Sequence, residues 1–453
     1  MNRILEELWY HGIFLFYEIS LIKKTAYFHI IYPRTDIFMN PFEITPEKES
    51  EYFVDWQKLC PKPYDKQEVD PYTRTRIILM NGTEFENVWF SHQFSRNCDN
   101  NDIRRKLALI RRGDQQQQKL IAHLKPTDES ALEHTIGYEQ LAVDLTAHLA
   151  KRVLNPDIKA ALDFALLEDF DHLYRYADYL EATNGEHAEN LVGRYTEIMP
   201  GRPTISHHRH PYDSIKRPVT DKQPVAIDLL ASNVITAAEQ QTMNYYMNTA
   251  ALWPEETGRK LYQEIGMIEE QHVSHYGSLL NPCATPLENL LIHQYTECWL
   301  YWSCYETETD PGIREIWRML FEQEIMHLNV AQKLLEDYEK KEAGNVIPNP
   351  VFPEPLKLES NIEYVRDVLA NTVNNTAMRE GYVNVEKCPE TFIDYQTRVN
   401  SPLDKVITHS FIQDYMNEKG QDYRFETAPN PIEALRDRKS DNVCVGRHPL
   451  CDR

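Results

Sequence analysis

Between residues 128 and 342 the apolar positions recur every three or four residues in six long runs, at 128–152, 157–183, 225–252, 255–281, 286–306 and 311–342. That is the period of helices that bury one face. Three breaks, "LNPD" at 154–157, "LWPEETG" at 252–258 and "ETDPG" at 308–312, place a proline near the start of the following run. Each break therefore closes a helical hairpin. The link "NPCATP" at 281–286 allows only a tight reversal, whereas 185–224 is long, proline-rich and without period.

Outside these runs the pattern weakens. Residues 39–75 read as irregular, and Asn81-Gly82 between the apolar runs of "RIILMNGTEFENVWF" (76–90) predicts a short β-hairpin. A polar helix is expected over 102–124. After the proline-rich "NVIPNPVFPEPL" one helix is expected near 359–372, followed by a polar tail. The implied organisation is an N-terminal extension (1–125, with 1–38 peripheral), a helical domain (126–345) and a C-terminal extension (346–453) that caps the helices.

A chain of 453 residues with 42% hydrophobic and 26% charged residues suits a large, helix-rich globular protein. The net charge of −22, without any basic block, argues against nucleic acid or anionic membrane as a partner. The uncharged run at 8–17 falls far short of the ~20 residues that span a bilayer, and no signal-peptide cleavage pattern follows it. Eight scattered cysteines without a CxxC pair point to a reducing, cytoplasmic setting. Cys444, His448 and Cys451 in the tail read as exposed side chains on a free end.

The chemistry lies on the apolar seams. In "FEQEIMHLNVAQ" (321–332), Glu324 and His327 fall on the stripe of Leu320, Ala331 and Leu334. Asp169 and His172 share a stripe with Leu162, Ala165, Tyr176 and Leu180; Glu269 and His272 share one with Ile265, Tyr276 and Leu279. The preceding helix of each hairpin carries its own seam acid: Glu139, Glu239 and Glu297. In each hairpin the two acids are about equally far from the turn, so antiparallel folding brings them level. Glu168 falls on a different stripe. Burying carboxylates together is costly unless a cation neutralises them, and acid-x-x-His presents both groups one turn apart on one face. A seam Glu on two helices with Glu-x-x-His on two others is the ligand pattern of di-iron and di-manganese bundles.

With these residues the chain resembles the ferritin-like di-metal carboxylate superfamily, which includes ferritins, rubrerythrins and related oxidases. The resemblance covers 128–281, and 286–342 echoes the same unit. It implies an all-α fold, a ferritin-like up-down-down-up four-helix bundle with an appended helical hairpin and two extensions. The metal ligands it implies are Glu139, Asp169, His172, Glu239, Glu269 and His272, with Asp169 standing where the family usually has Glu. Two iron ions, or manganese, would be the cofactors.

Three hairpins offer nine ligands where one di-metal site takes six. The long 185–224 segment fits the crossover of such a bundle, so hairpins one and two form it and the third packs outside. An alternative set replaces the first three ligands by Glu297, Glu324 and His327; these could also form a separate single-metal or charged network with His293. "HHRH" at 207–210 falls in the crossover and reads as a polar loop. Tyr246, Tyr276 and His275 lie near the proposed site.

The resemblance implies an oxidoreductase acting on dioxygen or peroxide, with a small organic substrate or an electron-donor protein as further partners; a homodimer stays open. No rubredoxin-like four-cysteine module accompanies the helices. Two other readings stay open: a non-catalytic ferritin-like iron-binding or storage protein, and a metal-free helical protein whose seam acids and histidines pair with each other.

Overall fold

The computed structural model describes residues 39–46, 53–198, 204–220 and 224–400, with 202, 402, 405–406, 413–414, 416–420 and 446. The tail cysteines Cys444 and Cys451, His448 and the 1–38 segment lie outside the described residues. The described chain is mostly helical. Eight long helices run α1 (Pro71–Arg96), α2 (Asn101–Ala122), α3 (Ala131–Arg152), α4 (Pro156–Asn184), α5 (Ala226–Thr249), α6 (Glu256–Gly277), α7 (Pro286–Thr307) and α8 (Pro311–Glu339). Two shorter ones, α9 (Ile362–Thr372) and α10 (Glu390–Val399), follow.

The turn chemistry sets the boundaries. Asn155 caps α4 by accepting from the backbone N–H of Asp157 and Ile158, with Pro156 at the first helical position. Asp310 and Pro311 open α8 in the same way. Ser130 with Glu133, and Thr285 with Glu288, form reciprocal capping boxes that start α3 and α7. Gly185 ends α4 at φ +68°, the left-handed conformation that glycine adopts without steric cost.

The helices pair as four hairpins, α1–α2, α3–α4, α5–α6 and α7–α8. The two middle hairpins pack on each other through α3 against α5 and α4 against α6, making an inner four-helix unit. The first and last pack through α1 against α7 and α2 against α8, making an outer unit. The third predicted hairpin, α7–α8, packs outside the inner unit as expected, but not alone: its seam is covered by α1 and α2, from the segment assigned to an N-terminal extension.

The β-hairpin expected at Asn81-Gly82 is also overturned. Both residues sit inside α1, which lies between the units and contacts α3 and α5 as well as α2 and α7. A helix buried on several sides has no single apolar stripe, which is why its period was weak. Gly82 is needed there for approach rather than for a turn: a Cβ on it would lie 2.8 Å from Cβ of Gln241 on α5.

The chain after 345 caps the helices. Leu356 N–H donates to Ser303 Oγ at 2.9 Å, and Arg152 donates to the carbonyl of Pro355 at 3.2 Å. Helix α9 packs on α4, and the two-stranded hairpin β1 (Asn375–Met378) and β2 (Gly381–Asn384) reaches α6, where Tyr382 OH lies 2.8 Å from His275 Nε2. No described helix is long and apolar enough to cross a membrane. Cys60, Cys98, Cys283, Cys298 and Cys304 are free thiols.

Candidate metal centre

Each helix of the inner unit delivers its seam acid to one place. Glu139 comes from α3, Asp169 and His172 from α4, Glu239 from α5, and Glu269 and His272 from α6. All six are at most 1% exposed. Two groups of ligand atoms are close enough to grip a cation: Asp169, Glu239, Glu269 and His272, and Glu139, His172 and Glu269. Glu269 belongs to both. Its Oε1 lies 2.9 Å from His172 Nδ1 and its Oε2 3.1 Å from His272 Nδ1. Asp169 reaches the cluster despite its short side chain, with Oδ1 3.2 Å from His272 Nδ1.

Most of the facing atoms lack a hydrogen bond. Glu139 Oε2, Asp169 Oδ1, both oxygens of Glu239, Glu269 Oε2 and His272 Nδ1 are buried without one. Buried polar atoms are otherwise almost always satisfied. Burial pushes Glu139 and Asp169 well above the usual carboxylate range and Glu239 to about 7, each reinforced by neighbouring carboxylates. Against the same burial, the His172 and His272 imidazoles hold Glu269 below its ordinary value. Without a cation the cluster must retain protons; four carboxylates and two imidazoles suit two divalent ions that would displace them. The residues present therefore fit a metal pair.

Outside this cluster lies a supporting shell that the seam pattern did not reveal. His272 turns Nε2 to Glu168 Oε2 at 2.9 Å while Nδ1 faces the cluster. Glu168 is itself clamped by Arg209, which donates to both carboxylate oxygens at 2.8 and 2.9 Å, and by Arg202 at 3.2 Å. Against full burial, Arg209 and His272 hold Glu168 well below the carboxylate range. A carboxylate behind the far nitrogen of a ligand histidine fixes its tautomer and orientation. The "HHRH" loop is thus part of the centre's roof. Arg209 N–H donates to Gln271 Oε1 at 2.9 Å, and the buried His207 ring centroid sits 5.7 Å from that of His172. The one local hint was Glu168 beside Asp169 on a buried helix.

Of the neighbouring aromatics, Tyr246 donates to Glu139 Oε1 at 2.5 Å, and Tyr276 stacks on His275. Glu297, Glu324 and His327 do not complete this cluster. They lie in the outer unit, beside Glu84 of α1 and Asp114 of α2. His293 stays apart from them, half-buried 3.1 Å from Glu86 and stacked on Phe90. Comparison of the chain with protein-family models, curated proteins and solved structures returns no match.

Proposed function

We propose that the inner unit is a ferritin-like four-helix bundle holding two iron or manganese ions, and that the protein is an oxidoreductase acting on dioxygen or peroxide. The observation that carries this reading is the pair of adjoining buried ligand groups sharing Glu269, whose facing oxygens lack hydrogen bonds. A metal-free seam of paired acids and histidines would satisfy those atoms internally.

Bound ions of this kind supply redox chemistry and Lewis acidity toward a small oxidant. The chain's own residues do the rest. Asp169, Glu239 and His272 would hold one ion and Glu139 and His172 the other, with Glu269 common to both groups. Glu168, fixed by Arg209 and Arg202, orients His272. Tyr246 holds a proton at Glu139 Oε1. Its ring also packs on Tyr176 and Tyr262, at 5.2 and 5.7 Å between centroids, in an aromatic wall that keeps water from that side. The depth of the ligands favours a diatomic or similarly small reactant over a bulky one. A cleft of about 410 Å³ lies elsewhere, lined by Trp89, Phe90, Leu229 and Ile292.

The test is anaerobic reconstitution of the full chain with Fe(II), followed by metal counting and by dioxygen and peroxide consumption. The H172A/H272A double variant should bind two fewer ions and consume either oxidant at the rate of free Fe(II). Equal metal content in wild type and this variant, with helicity unchanged, would remove the reading.

A further inference from the structure

The outer unit repeats the inner one. Glu84 to Asp114, Glu139 to Asp169 and Glu239 to Glu269 each span 30 residues, and Glu297 to Glu324 spans 27. Helices α1, α2, α7 and α8 therefore present Glu84, Asp114 with Gln117, Glu297, and Glu324 with His327, in the order of the inner ligands. All six are at most 1% exposed.

The two sets differ in one respect that decides their capacity. Of the Asp169–Glu239–Glu269–His272 group, three counterparts come together: ligand atoms of Asp114, Glu324 and His327 lie within gripping distance of one another. His327 Nδ1 is 2.9 Å from Glu324 Oε1 and 3.3 Å from Asp114 Oδ1. Glu324 Oε2 is fully buried and accepts no hydrogen bond. The counterpart of the Glu139–His172 group is dismantled. Gln117 replaces the second histidine and donates instead to Gln323 Oε1 at 3.2 Å. Glu297, the counterpart of Glu239, has its Oε2 taken by Asn87 at 2.9 Å and Gln294 at 2.7 Å, and Asn87 also donates to Asp114 Oδ2 at 3.0 Å. These amides neutralise by hydrogen bonding what a second cation would neutralise by charge.

We propose that the outer unit holds a single divalent first-row cation, ligated by Asp114, Glu324 and His327. Two carboxylates and one imidazole suit Mn2+, Fe2+ or Zn2+. Its position between α2 and α8 would tie the first hairpin to the last within the outer unit. The site is separate from the inner centre and survives its removal.

The probe is Mn2+ alone, titrated into the metal-stripped full chain and read by metal counting after desalting and by the six-line electron paramagnetic resonance signal of an isolated Mn2+. The H172A/H272A variant, emptied at the inner centre, should retain one Mn2+ per chain with that signal. Adding H327A, or E324Q if H327A fails to fold, should abolish it. Q117H should restore the lost histidine and add one ion to the wild-type count. Absence of Mn2+ from a folded H172A/H272A chain would overturn the proposal, as would retention of the ion after H327A or E324Q. Because both inner histidines are already removed, failure here leaves the inner reading standing, and failure of the inner reading leaves this test intact.

Discussion

Tyr246 on α5 donates its hydroxyl to Glu139 on α3, and Tyr301 on α7 does the same for Glu84 on α1. The same bond thus joins third helix to first in both units, and in each it occupies one oxygen of the first seam acid while the other stays without a hydrogen bond. A phenol at this point holds a carboxylate in place without competing for the face turned to the cluster.

Tyr246→Phe keeps the packing against Tyr176 and Tyr262 but strips Glu139 Oε1 of its donor. A buried acceptor left unmade costs about 1–3 kcal/mol. Urea unfolding of the metal-stripped protein should show that loss at unchanged m-value; an unchanged midpoint would mean that Glu139 finds another donor.

Arg209→Ala leaves Glu168 fully buried with Arg202 and His272 as its remaining polar partners. Breaking a buried ion pair from one side costs about 3–5 kcal/mol, and loosening the group behind a ligand histidine lowers metal affinity about 10–100-fold. Thermal unfolding and Mn2+ titration of R209A measure the two effects. R209K, which keeps the charge but loses the Nε bond to Ser214, should recover only part of the affinity.

Asp144 supplies a pH dependence away from the ligands. Burial pushes its carboxyl up to about 7, although Thr196 donates to it at 2.6 Å and Tyr72 at 3.0 Å. Its folded value lies above its unfolded one, so the folded state keeps a proton that the unfolded chain releases near pH 4. Stability is therefore full below that pH, falls as pH rises toward 7, and levels off above it. Denaturant midpoints at pH 5 and 8 should differ less in D144N than in wild type; an equal difference in both would assign the slope to other groups.

Gly82→Val drives a branched side chain into Gln241 where α1 crosses α5. Overpacking of this kind costs about 1–3 kcal/mol. The damage should fall on the junction between the units, so hydrogen exchange should rise along α1 and α5 while the middle of α4 stays protected.

What the sequence determined by itself is local. Helix period and proline entries placed α3 to α8 within a few residues, because turn chemistry and amphipathicity act over one or two turns. The same period marked Glu139, Asp169, His172, Glu239, Glu269 and His272 as seam residues, because a charged group on an apolar stripe stands out wherever the helix finally packs. The long 185–224 connection also paired the two middle hairpins, whose helices do pack together; tertiary structure alone decided what covers the last one. The strength of a seam does not say what covers it, and α7–α8 finds its partner in α1–α2, some 200 residues away in sequence. It also decided α1 itself. A helix enclosed by two units needs polar residues such as Glu84 and Asn87 on one side and a glycine against α5 on another, so the apolar stripe that betrays a helix was absent. Glu168, Arg202 and Arg209 stayed illegible for a related reason: an ion pair between a helix and a distant loop has no period, and only the folded chain brings its charges together.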